Sequence, residues 1–174
     1  DEVRRAASVG SNASHALSAR LLGKQDALGY NLAASTFETK GYRGHSAARR
    51  DSANAKLSFD LGDARRLDFV FNYLDLPDAS DPLGLTRDQV REDPRQAAPA
   101  ALQFDTRKSV RQAQAGLTYQ QSLGGAQTLR LMGYGGQRGV EQFLSLPAVA
   151  QANPLKSGGA IDLDNDYGGV DARW

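Results

Sequence analysis

Ser52-Ala-Asn-Ala-Lys-Leu-Ser-Phe-Asp-Leu61, the turn Gly62-Asp-Ala-Arg-Arg66 and the return Leu67-Asp-Phe-Val-Phe-Asn-Tyr-Leu74 decide the fold. On the outgoing arm Ala53, Ala55, Leu57, Phe59 and Leu61 alternate with Ser52, Asn54, Lys56, Ser58 and Asp60. A period of two sends apolar and polar side chains to opposite faces of a strand. The returning arm repeats it, with Leu67, Phe69, Phe71 and Tyr73 against Asp68, Val70 and Asn72. Two such arms on a short polar turn predict an antiparallel hairpin with one apolar and one polar face. The apolar face needs a partner, and protein or lipid would serve.

Outward from this hairpin the alternation recurs. Val3, Arg5, Ala7 and Val9 form a first strand closed by Gly10-Ser11-Asn12; Leu17, Ala19 and Leu21 mark a second, ending at Gln25-Asp26. Leu28, Tyr30, Leu32 and Ala34 mark a third. Beyond the hairpin, Ala113, Ala115, Leu117 and Tyr119 alternate with Gln112, Gln114, Thr118 and Gln120. Leu123-Gly124-Gly125 turns into a seventh strand through Leu129, Leu131 and Gly133, and an eighth runs from Ile161 through Val170, Ala172 and Trp174. The expected fold is all-β, an antiparallel up-and-down meander of about eight strands.

Connections alternate in length. Those after strands two, four and six are short, whereas Glu38–Asp51, Asp75–Lys108 and Arg138–Gly159 hold about 14, 34 and 22 residues. In a meander alternate connections share a rim, so all the long loops belong at one end. Thr86-Arg87-Asp88-Gln89 fits a helix capping box, and Pro94 would end the short helix it starts. Short turns on one rim, long loops on the other and apolar/polar strands of about ten residues are the organisation of an outer-membrane barrel wall.

Composition narrows the function classes. Basic and acidic residues number 21 and 20, a net charge of +1, so no global field points to nucleic acid. With no cysteine there is no disulfide framework, thiolate nucleophile or cysteine-ligated metal. No run of 18 apolar residues exists, which excludes a transmembrane helix and leaves a barrel open. His15 and His45 lack an acidic neighbour at metal spacing, and no Gly-x-Ser-x-Gly elbow occurs. Asp162, Asp164 and Asp166 alternate but lack the glycine and distal glutamate of a calcium loop, so a polar strand face is expected. Binding rather than catalysis is expected, with no cofactor.

The candidate ligand-binding residues are Arg43, His45, Arg49, Arg87, Arg91, Arg95 and Arg138, all assigned to the long loops. Guanidinium groups bind carboxylate and phosphate bidentately. On one rim they would capture an anionic ligand or pair with lipopolysaccharide phosphates. Pairing with Asp51, Asp88, Glu92, Asp93 and Asp105 at a merely solvated rim fits the same residues.

Gly29-Tyr-Asn-Leu-Ala-Ala-Ser35, followed by Phe37-Glu-Thr-Lys-Gly-Tyr-Arg-Gly-His-Ser46, resembles the early barrel of TonB-dependent outer-membrane receptors. Ala55-Lys-Leu-Ser-Phe-Asp-Leu61, Pro82-Leu-Gly-Leu-Thr86, Asp93-Pro-Arg-Gln-Ala97 and Gly168-Gly-Val-Asp-Ala-Arg-Trp174 extend the resemblance in order along the chain. It implies uptake of a ferric siderophore or similar scarce nutrient in the outer membrane. Outer-membrane lipid would meet the apolar face, and a plug outside this sequence would engage the TonB energy-coupling complex. Residues 1–174 are expected to form a single partial barrel segment, about eight of some 22 strands, without signal peptide, plug or the remaining strands. A soluble β-sandwich or small barrel for adhesion or carbohydrate recognition is the alternative, and it requires a second apolar layer.

Overall fold

A computed structural model describes residues 1–155 and 158–174. Eight strands form one antiparallel sheet in sequence order: β1 (Glu2–Gly10), β2 (Ser14–Gln25), β3 (Leu28–Thr39), β4 (Ala48–Gly62), β5 (Arg65–Ser80), β6 (Arg107–Gly124), β7 (Gln127–Phe143) and β8 (Ala160–Arg173). Each pairs only with its sequence neighbours, and β1 and β8 form open edges.

The alternation sets the register. Leu57 pairs with Tyr30 and Phe69, Phe69 with Leu117, and Leu117 with Gly133. The row towards the short turns runs Leu28, Phe59, Leu67, Tyr119, Leu131 and Ala172. These rows stack into one apolar band whose inner and outer limits on β5 are Leu67 and Tyr73, about 20 Å apart at the rise of an antiparallel strand. Leu57, Phe59, Leu67, Phe69, Phe71 and Tyr73 are only half-buried, and among the described residues no second layer covers them. The layer a sandwich needs is absent from the described residues.

The opposite face is polar. Ser35 and Ser52 share a hydroxyl hydrogen bond of 2.8 Å, Arg20 Nε donates to Asn31 Oδ1 at 2.9 Å, and Arg66 donates to both oxygens of Asp68. At the short-turn rim, Asp63-Ala64 and Gly125-Ala126 all take positive φ, the twist that matches two-residue hairpins. Gly62 and Gly124 sit at positive φ where each register slips by a bulge.

Strands reach further towards the loop rim than the hydropathy pattern indicates. β4 begins at Ala48, β5 runs to Ser80, β6 starts at Arg107 and β7 ends at Phe143. The long loops contract to residues 40–47, 81–106 and 144–159, of which 156–157 lie outside the described residues. Above the band the formerly apolar face carries Asp51, Asp75 and Arg111, so backbone pairing continues where hydropathy alternation has stopped. The expected helix is present as α1 (Arg87–Glu92), and α2 (Pro99–Phe104) and α3 (Ala148–Gln151) accompany it.

Candidate functional site at the loop rim

Among the described residues the most buried side chains, Ala101 and Thr106, lie in the second long loop, and Val110 and Val140 are buried where β6 pairs with β7. Ala97, Ala98 and Ala101 are buried in a small cluster with Leu83 and Leu85 against it, and Thr106 beside them is 1% exposed. α1 starts on the predicted box: Thr86 accepts from the Gln89 amide at 3.3 Å, while the Gln89 side chain accepts from the Thr86 amide at 2.9 Å. Gln96 then donates back to the Gln89 carbonyl at 2.8 Å and holds the chain after Pro94 against the helix. α2 starts with Pro99 at its first position, where the missing N–H costs nothing.

Arg43 joins two loops. Its guanidinium donates to the carbonyls of Gln96 (2.9 Å), Leu83 (2.6 Å) and Pro82 (3.0 Å), and the Gly44 amide donates to the Arg95 carbonyl at 2.7 Å. His45, with a side chain 15% exposed and φ of 54°, donates from Nε2 to the Thr106 carbonyl at 2.8 Å. That bond places the ring proton on Nε2, and the Asp105 carboxylate lies 3.7 Å away. Thr106 in turn donates its hydroxyl to the Asp81 carbonyl at 2.6 Å. Residues 40–47 and 81–106 are one packed unit, and Arg43 and His45 are its fasteners.

The other candidates separate. Arg87, Arg91 and Arg95 are exposed on the second loop: Arg91 lies 3.4 Å from Asp88, and Arg95 sits over the Tyr42 ring at 5.1 Å. Arg49 is in β4 rather than in a loop, on the same face as the apolar band, and pairs with Asp51 at 2.9 Å. Arg138 is in β7, also outside the loops, on the polar face between Gln112 and Asn165. These two face opposite sides of the sheet, so no single cluster holds all seven. Arg87, Arg91 and Arg95 remain together as the exposed arginines of the second loop. Arg107, expected in the second long loop with Arg87, Arg91 and Arg95, is the first residue of β6; it lies over the Phe143 ring at 3.9 Å and pairs with Asp105. Among the described residues no group of three acidic, histidine or cysteine side chains could hold a metal.

The described residues thus form an open antiparallel up-and-down meander with one apolar face, one polar face and packed loops on one rim. No family model matches the chain. Its fold is similar to that of the ferric citrate transporter FecA in the unliganded form, with a TM-score of 0.67 and 22% identity over 83% of this chain. The chain spans 22% of the length of that transporter.

Proposed function

We propose that the chain is part of the barrel wall of a TonB-dependent outer-membrane receptor that binds and imports a ferric siderophore or a similar scarce nutrient. The observation that carries this reading is the apolar band of β3–β7, covered by no second layer among the described residues and backed by a polar face. Apolar area left in water costs about 25 cal/mol per Å², so a face this size requires a hydrophobic environment. Lipid supplies it on one side, and the polar side suits a hydrated lumen. The likeness in fold to a ferric citrate transporter and the ordered sequence resemblance support the ligand class. In this reading the exposed Arg87, Arg91 and Arg95 attract an anionic chelate at the extracellular rim. Energy coupling through TonB belongs to the plug of the whole receptor, and the role is binding and transport rather than catalysis.

Size-exclusion chromatography with far-UV circular dichroism, in plain buffer and in a mild detergent, tests the reading. A monodisperse β-rich species in detergent only is expected. A monomeric, cooperatively folded species in buffer alone would make the apolar row a buried core and remove the membrane assignment.

A further inference from the structure

On the polar face, β6, β7 and β8 alternate glycine and tyrosine across the strands. Gly116, Tyr134 and Gly169 form one row, and Gln114, Gly136 and Tyr167 form the next. Each ring occupies the space the facing glycine leaves. A Cβ at Gly169 would lie 2.8 Å from Tyr134 Cε1 and Oη, and one at Gly136 would lie 2.8 Å from Tyr167 Cζ. Both rings therefore lie across the neighbouring backbone instead of standing away from the sheet. Tyr134 is nevertheless 48% exposed, so one face of its ring rests on β8 and the other is open.

The side chains that bond Tyr167 are neutral amides. Tyr167 Oη donates to Gln114 Oε1 at 2.8 Å and accepts from Gln112 Nε2 at 3.2 Å, which fixes ring and amides together. Among the described residues the Gln114 amide hydrogens, the Gln112 carbonyl oxygen and the Asn72 side-chain amide, opposite Gln114 in the register, have no hydrogen-bond partner. A hollow of about 260 Å³ lies between Asn72, Gln114, Tyr134 and Tyr167, and no charged side chain lines it.

An open aromatic face flanked by amide donors and acceptors, over a hollow whose own lining is uncharged, matches a ligand with an apolar ring face and a hydroxyl-bearing edge, with Arg138 beside Gln112 and Asp171 beyond Gly169 in the adjoining rows. We propose that Tyr134 and Tyr167 form a saccharide-binding platform on the polar wall, with Gln114 and Asn72 bonding the sugar hydroxyls. The platform lies on β6–β8, apart from the loop arginines, so it stands or falls independently of the chelate reading.

Saturation-transfer difference NMR on the 174-residue chain in dodecyldimethylamine oxide, a detergent without a sugar head, tests it with maltotriose and triacetylchitotriose as probes. Saturation of the ring C–H protons of at least one sugar is expected. Tyr134→Phe should retain it, and Tyr134→Ala should weaken binding about tenfold. Gln114→Leu keeps the side-chain bulk and should also weaken binding several-fold, which covers the case in which Tyr134→Ala fails to fold. Absence of transfer to both sugars, or equal transfer in wild type and Gln114→Leu, would overturn the proposal.

Discussion

Arg43 donates from Nη1 to the carbonyl oxygen of Leu83, 40 positions along the chain, at 2.6 Å. With its bonds to Pro82 and Gln96, this makes one side chain the tie between the loop after β3 and the loop after β5. A guanidinium suits the task because its donors form a fixed planar fork, which the point charge of an ammonium cannot reproduce.

Arg43→Lys should therefore behave much like Arg43→Ala. Loss of the bonds from a charged donor to carbonyls should cost the loop unit about 2–3 kcal/mol. Amide exchange in residues 40–47 and 81–106 should accelerate together, while exchange in β6 and β7 stays as in wild type. Acceleration confined to residues 40–47 would show that the loops are not coupled.

Thr86→Ala removes half of the capping box and should cost about 1 kcal/mol, or roughly a fivefold rise in local opening. The reporters are the Val90 and Asp93 amides, which donate to Thr86 and Gln89 at 3.0 Å each. Unchanged protection there would mean that Gln96, bonded to the Gln89 carbonyl, holds the helix without its cap.

Phe71 and Asn72 are adjacent and face opposite sides of the sheet. Nitroxide labels placed singly from residue 67 to 73 in reconstituted bilayers should show oxygen accessibility with a period of two, high at 67, 69, 71 and 73. A water-soluble relaxation agent should give the opposite phase. Arginine at position 71 should cost about 2–4 kcal/mol if the site is near the bilayer midplane, and arginine at 72 close to none.

Gly136→Ala and Gly169→Ala should differ although both glycines face tyrosines. At Gly136 the new methyl would meet the Ala113 carbonyl oxygen at 2.7 Å, backbone that cannot swing away. At Gly169 the nearest atoms all belong to the Tyr134 ring, which can rotate. Denaturant midpoints should fall clearly for Gly136→Ala and little for Gly169→Ala, with altered Tyr134 ring resonances only in the second.

Replacing Arg87, Arg91 and Arg95 together by glutamine should weaken binding of ferric citrate, used as an anionic probe, with a larger effect at low ionic strength. Equal titration curves for the variant and the wild type would assign these arginines to a solvated rim.

The strand pairing was legible because Leu57, Phe69 and Leu117 each sit in a clean alternation, and a one-residue slip would turn a whole strand over. Thr86 and Gln89 were legible for the same reason that they work: their partners are three residues apart. Strand ends were not. Arg49 and Arg138 read as loop residues since nothing apolar alternates around them, yet their backbones are still paired. The role of Arg43 was hidden because its partners are carbonyl oxygens, which every residue carries. α2 has a proline at its start but no side-chain cap, so its alanines gave no boundary. The tyrosine platform depends on glycines facing tyrosines across strands, a signal visible only once the register is known.

Because the described strands pair only with the one before and the one after, the sheet can assemble by successive zippering of hairpins, each closing a single connection of the chain. Such a ribbon is also indifferent to length. A further hairpin joined to the edge at β1 or β8 would find its own register without disturbing the pairs already made, so walls of different circumference can be built by repeating one local rule.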